Sequence, residues 1–180
     1  MKLNAKELRD VKEEDIIDKL ELIKRRPMYF ILENIYDTYN IGGLFRLADA
    51  LAIEKMYICG ESEIPPNSKI KKASIGTYKI VPWEYKKSAI EAVADLKSKC
   101  QMSNDKIQII AIEQHQTSIP YQKAGYSFPV ALILGNETSG ITKETLKLAD
   151  QTVEIPMWGI NKSLNVIVSA AIVSYWIVSS

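Results

Sequence analysis

The sequence predicts an α/β protein with a mostly parallel sheet and helices on both faces. Three observations carry that prediction. Strand-like runs alternate with longer helical patterns along most of the 180 residues. Ile107 to Ile112 is a β-branched run, and Pro129 to Leu134 is an apolar run that stops at a glycine. Loops bearing glycine or asparagine leave predicted strand ends at Asp37 to Gly43, Gly135 to Gly140 and Pro156 to Asn165. Parallel sheets bind ligands at that rim.

Each element follows from local pattern. Residues 5–26 are charge-rich, with Leu8, Val11, Ile16, Leu20 and Ile23 roughly on one side. They predict an amphipathic helix that reaches Lys24-Arg25-Arg26 and stops at Pro27. Met28 to Leu32 is a short strand. Asn40 to Ile53 reads as a helix with Asn40 as its cap, and Lys55 to Cys59 as a strand. Pro65-Pro66 marks a turn over 61–67, and Lys69 to Thr77 is a short basic segment. Tyr78 to Val81 reads as a strand, Tyr85 to Lys99 as a helix, and Ile107 to Ile112 and Pro129 to Leu134 as strands. Thr142 to Ala149 is a helix capped by Thr142, and Val153 to Ile155 is the last strand. Ser163 to Val178 closes the chain as a helix with Ser163 at the cap. The expected organisation is an N-terminal helical segment, 1–26, and one domain, 27–180.

Composition excludes several classes. A net charge of +1 announces no global field for nucleic acid. Cys59, Cys100 and the single His115 have no metal-ligand spacing, so no metal is expected. Reduced thiols and an N-terminus without an apolar signal region fit a cytoplasmic protein. The apolar run Val166 to Val178 is interrupted by Ser169, Ser174 and Tyr175 and is short for a bilayer. A buried core helix is the better reading. Trp83 and Trp176 read as core or interface, whereas Trp158 lies inside the last polar loop. His115 sits in a polar loop and reads as solvated.

Three constellations carry candidate chemistry. In Asn40-Ile-Gly-Gly-Leu-Phe-Arg46, the glycine pair lets backbone approach a partner, and Arg46 can reach a phosphate or carboxylate bidentately. An ordinary capped helix with a surface arginine gives the same pattern. In Gly135-Asn136-Glu137-Thr-Ser-Gly140, a strand runs into a loop whose backbone groups could hold a polar ligand; a tight turn is the plain alternative. It is neither a P-loop nor G-x-G-x-x-G. In Ile155-Pro-Met157-Trp-Gly-Ile-Asn-Lys-Ser163-Leu164-Asn165, an apolar helix opens with more polar equipment than packing requires, though Asn165 bonding to nearby backbone also accounts for it.

Together and in this order, the three resemble the signature motifs of the SpoU/TrmH family, RNA ribose 2′-O-methyltransferases of the SPOUT superfamily. The resemblance runs from about Pro27 to the C-terminus, and Met28 to Asp37 looks like the family's usual leading strand. It implies a sheet whose C-terminal segment threads a loop into a deep trefoil knot, a rare exception to unknotted topology. It implies S-adenosylmethionine bound by Gly135, Ile155 and Leu164, with Asn136, Gly140 and Met157 beside them. The end of the strand at Ala111 to Glu113 would add a further contact. Arg46 matches the family's proposed catalytic arginine, and Asn40, Glu137, Ser163 and Asn165 match polar residues around ribose and cofactor. A homodimer with the active site completed across the interface is implied too. The family usually continues after Asn165-Val166 with small residues; here Ile167 is bulkier.

Lys71, Lys72 and Lys79, near Gly76 and Tyr78, are the best candidates for contact with RNA, tRNA or rRNA. Two other readings stand beside the enzyme. One is a catalytically inactive knotted RNA-binding protein acting in RNA assembly. The other is a generic ATP- or NAD-binding α/β protein, for which the phosphate motifs are missing.

Overall fold

Alternation along β1 (Arg26–Glu33) sorts its side chains to two faces of a sheet. Met28, Phe30 and Leu32 enter one core, and Ile31 enters the other. The computed structural model describes residues 2–11, 20 and 22–180. Among them β2 (Ile53–Cys59), β3 (Trp83–Lys86), β4 (Gln108–Ile112), β5 (Ile119–Pro120), β6 (Val130–Leu134) and β7 (Gln151–Glu154) join β1 in one sheet, ordered β3-β2-β1-β6-β4-β7-β5. Every pairing is parallel. The first face is covered by α2 (Thr38–Ala50), α3 (Ser68–Ser74) and α6 (Val166–Ser179), and the second by α4 (Ala89–Met102). A one-turn helix, α5 (Lys143–Leu146), follows β6. The fold class is therefore as expected. With β6 between β1 and β4, and α6 against α2, the arrangement is consistent with the knotted topology that the resemblance implies.

Several expected elements differ. The N-terminal helix does not run unbroken: α1 (Ala5–Asp10) opens with an Asn4–Glu7 capping box and ends where Val11 turns extended. Ile16 and the rest of 12–19 lie outside the described residues. Leu8 and Val11 pack with Leu20, Ile23 and Ile80 in a small separate cluster. Tyr78 to Val81 is not a strand. Gly76, at φ +100°, turns the chain into a 3-10 helix over Thr77–Lys79, and a Cβ on that glycine would overlap the Leu8 carbonyl. The third strand is Trp83–Lys86 instead, paired with Met56 to Cys59. It takes Tyr85 out of the expected helix, which begins at Ala89 once Ser88 accepts from the Glu91 N–H at 3.2 Å. The basic segment from Lys69 is a helix, capped by Asn67 and ended by Ile75 in the left-handed region. The helix expected over 142–149 is only α5, with Thr142 as its cap.

Gly42-Gly43 serves packing. A Cβ on Gly42 would strike the Ala73 side chain and stand 2.9 Å from Ser74 N on α3, and one on Gly43 would strike Ile167 on α6. The bulky Ile167 is thus accommodated by a missing side chain opposite. Burial on the strands also fixes Cys59, whose thiol is pushed up to about 12 by desolvation and is a poor nucleophile. No helix among the described residues is long and apolar enough to cross a membrane.

Candidate functional site

Parallel strands deliver all their carboxyl ends to one rim. There the chain leaving β4, β6 and β7 and the loop before α6 enclose a cavity of about 490 Å³, within the usual range for small-ligand sites. Residues 112–114, 134–138, 140, 154–155, 157, 161–166 and 169 form its walls.

The loop after β6 holds itself closed. Asn136 and Gly140 exchange backbone hydrogen bonds at 3.2 and 2.9 Å. The Asn136 side chain, almost fully buried, accepts from the N–H groups of Thr138 (2.8 Å) and Ser139 (2.9 Å) and donates to the Asn34 carbonyl (2.7 Å). Asn136 therefore builds the cradle. Gly140 sits at φ +68°, where a Cβ would overlap the Glu113 carboxylate; a Cβ on Gly135 would stand 2.5 Å from the backbone of Gly140 and Ile141. Two carboxylates pin the loop's exit. Glu113 Oε2 accepts from Ile141 N–H at 2.8 Å. The buried Glu33 accepts from Thr142 N–H (2.9 Å), Thr142 Oγ1 (2.9 Å) and Thr145 Oγ1 (2.6 Å).

Two expected caps move, and the move explains the site. Asp37, not Asn40, caps α2, because its Oδ1 accepts from Tyr39 N–H at 2.8 Å. Asn165, not Ser163, caps α6, accepting from Ile167 N–H at 2.8 Å. That frees Asn40, buried in the first turn of α2, for a different task. The Asn165 amide donates to Asn40 Oδ1 at 2.9 Å, and the Asn40 amide donates to Glu137 Oε1 at 2.8 Å. One relay of side chains links the start of α2 to the loop after β6 and the cap of α6, each amide donating and accepting. Glu137 Oε2 has no partner among the described residues.

Gly135, Asn136, Gly140, Ile155, Met157 and Leu164 all line the cavity, as do Glu137, Ser163 and Asn165. Asn40 reaches it through the relay. Arg46 does not line it. The arginine is exposed on α2, one turn past the glycine pair, with no hydrogen bond or ion pair among the described residues. Trp158 is 90% exposed and outside the lining, and so is His115, whose Nδ1 lies 2.9 Å from Thr117 Oγ1. Lys71 and Lys72 are exposed on α3, whereas Lys79 is half-buried and donates to the Val11 carbonyl at 2.7 Å. Lys79 thus ties down the N-terminal segment.

Sequence reasoning passed over Gln114, Glu154, Asn161 and Lys162. Gln114 donates through Nε2 to the Lys162 carbonyl, bridging the cavity mouth, and Glu154 accepts from Ser118 Oγ at 2.7 Å. The signal that finds Gln114 and Glu154 is position alone, directly beyond β4 and at the end of β7. Glu113, Glu137 and Glu154 against the single Lys162 leave the walls with an excess of negative charge, which suits a cationic ligand.

Residues 27–175 match the model of the SpoU rRNA Methylase family. The chain is 29% identical over 158 residues to the tRNA (guanosine(18)-2′-O)-methyltransferase of Escherichia coli K12, covering 86% of this chain and 64% of that protein. It is 28% identical over 174 residues to the 23S rRNA (guanosine-2′-O-)-methyltransferase RlmB of Haemophilus influenzae, covering 97% and 67%. Among solved structures, the SpoU methyltransferase AviRb of Streptomyces viridochromogenes in complex with AdoMet superposes with a TM-score of 0.79 at 25% identity, over 89% of this chain and 63% of that one. This chain thus spans less than two thirds of the length of the Escherichia coli relative and of AviRb.

Proposed function

Because the chain belongs to the SpoU rRNA Methylase family, we propose that it is an S-adenosylmethionine-dependent methyltransferase acting on a ribose 2′-hydroxyl of tRNA or rRNA. The observation that carries this reading is the relay Asn165–Asn40–Glu137, which places a fixed carboxylate beside a cavity built for a small ligand. The cavity suits the cofactor on three counts. Its volume is adequate, the backbone of Gly135 and Gly140 lines one wall, and Leu134, Ile155, Met157 and Leu164 offer an apolar lining beside a negatively biased rim. Bound there, the cofactor supplies a methyl group on a sulfonium.

The chain's own residues do the rest. Backbone at Gly135, Ile155 and Leu164 would hold the cofactor. Glu137, with Oε1 held by Asn40, presents Oε2 to the ribose hydroxyl and orients it. Ser163 and Asn165 hold the neighbouring wall. Arg46 positions an RNA phosphate and stabilises the oxygen as its proton passes to Glu137 Oε2. A guanidinium is a permanent cation in proteins and a poor base, so Arg46 acts by charge and geometry. A homodimer fits the same picture: α6 leaves Val168, Tyr175 and Trp176 exposed, an apolar surface for a second copy. A cytoplasmic location is part of the proposal.

Calorimetry with S-adenosylmethionine and mass spectrometry of tRNA and rRNA nucleosides from a deletion strain test the reading. Binding heat and the loss of one 2′-O-methyl nucleoside are expected. RNA binding with no cofactor heat would point to the inactive RNA-binding protein. Lys71 and Lys72, exposed on α3 where it packs against α2, are the phosphate contacts of this reading. Reversing both to glutamate is expected to weaken RNA binding by tenfold or more in a filter assay at moderate salt, with cofactor binding unchanged; unaltered RNA affinity removes them from the interface.

A further inference from the structure

The rim beside the relay is also aromatic. Tyr36 and Tyr39 flank the Asp37 cap and leave 54% and 52% of their surfaces open. The Tyr36 hydroxyl donates to Glu61 Oε2 at 2.8 Å, a bond that holds its ring and raises its pKa. The Tyr39 side chain has no hydrogen bond among the described residues. Residues seven apart on a helix lie within about 20° of one stripe, so Tyr39 and Arg46 share an exposed face of α2, roughly 10 Å apart along its axis. Gly43 lies between them and carries no side chain; its neighbour there is Ile167 of α6. Asn40, the next residue after Tyr39, is the middle of the relay.

We propose that Tyr39, flanked by Tyr36, is the stacking platform for an unpaired base of the RNA, with Arg46, seven residues further along the same stripe of α2, holding a neighbouring phosphate. The proposal rests on the methyltransferase reading and names the form of RNA that the site takes: a single-stranded or looped-out segment. An exposed ring on a helix can cover the face of an unstacked base, whereas bases inside a duplex present no free face to it. Charge orients the strand. Asp37 and Glu61 stand at the tyrosine end, each already accepting a hydrogen bond, and repel phosphate there. The unpaired guanidinium of Arg46 attracts it at the other end. The base therefore goes to Tyr39 and the phosphate to Arg46. Stacking accepts any base, so the platform selects for strandedness and leaves base identity to other contacts.

The test uses the full chain and a short single-stranded RNA carrying 2-aminopurine, whose fluorescence falls when it stacks. The wild-type protein is expected to quench the probe. Tyr39→Ala should bind it roughly tenfold more weakly and lose the quenching, and Tyr39→Phe should restore both. Cofactor heat and elution volume should be unchanged in Tyr39→Ala, which also shows that the variant is folded. Equal affinity and quenching in Tyr39→Ala, or no quenching by the wild-type protein, overturns the proposal. A changed oligomeric state in Tyr39→Ala would place the ring between subunits and overturns it as well. Failure of the methyltransferase reading shows separately, as absence of cofactor heat in the wild type.

Discussion

Arg46→Ala is expected to slow single-turnover methyl transfer by about 10²–10³-fold, the usual cost of removing one donor aimed at a developing negative charge. Thermal stability and S-adenosylmethionine affinity should stay near wild type. The structure separates these readouts. Arg46 is exposed and bonded to nothing among the described residues, so its removal leaves no buried partner stranded, and surface changes of that kind shift stability by about 0.5 kcal/mol or less. It is outside the cavity lining, so the cofactor loses no contact. Arg46→Lys refines the test. If the guanidinium grips phosphate through two parallel hydrogen bonds, lysine restores charge without the fork and recovers little rate. A lysine variant that keeps most of the rate contradicts the bidentate role, and an alanine variant at full rate removes Arg46 from the chemistry.

Gly135→Ala should act at the opposite point, on the cofactor. The new Cβ would stand 2.5 Å from Gly140 C and Ile141 N. Those are backbone atoms, and the Ile141 N–H is already held by Glu113, so no side-chain rotation relieves the overlap. The loop must open, and overpacking of this type costs about 1–3 kcal/mol. Because the same loop forms a cavity wall, cofactor affinity is expected to fall by about 10²-fold, roughly 2.7 kcal/mol, measured by calorimetry. Gly125→Ala is the control. Nothing lies within 4 Å of its added Cβ, so it should be neutral. Undiminished cofactor affinity in Gly135→Ala would mean that the ligand sits elsewhere.

Much of the fold was legible because burial imposes pattern. The strands around Ile31, Ile110 and Leu132 are apolar on both sides, and each appears within a residue or two of its expected place. What misled was apolar sequence without strand geometry. Ile80 and Val81 are buried at the end of a 3-10 turn, a burial that periodicity cannot tell from a strand's. The signal that corrects the reading is Ser88 with Glu91 three residues on, a helix start that leaves Tyr85 to the strand. At the site, residue identities were readable and their tasks were not. Asn40 and Ser163 both look like caps, and neither is one: Asp37 serves α2, Asn165 serves α6, and the fold brings the distant amides of Asn40 and Asn165 within 2.9 Å. Gly42-Gly43 looked like a ligand approach and is a helix crossing, since the atoms that exclude a Cβ belong to Ala73, Ser74 and Ile167. Gln114 and Glu154 carry no motif at all; the register of the sheet alone places them at the cavity.

The relay has a consequence for the order in which the molecule comes to life. Asn40 and Asn165 are separated by 125 positions in the chain, and their bond closes only when the last helix docks on α2. Closing a contact that distant costs loop entropy before any packing offsets it. Without that bond Asn40 has no donor on its Oδ1 among the described residues, and the residue that holds Glu137 Oε1 is itself no longer anchored to α6. The fixed carboxylate on which the proposed activity rests is therefore assembled only once α6 has docked on α2.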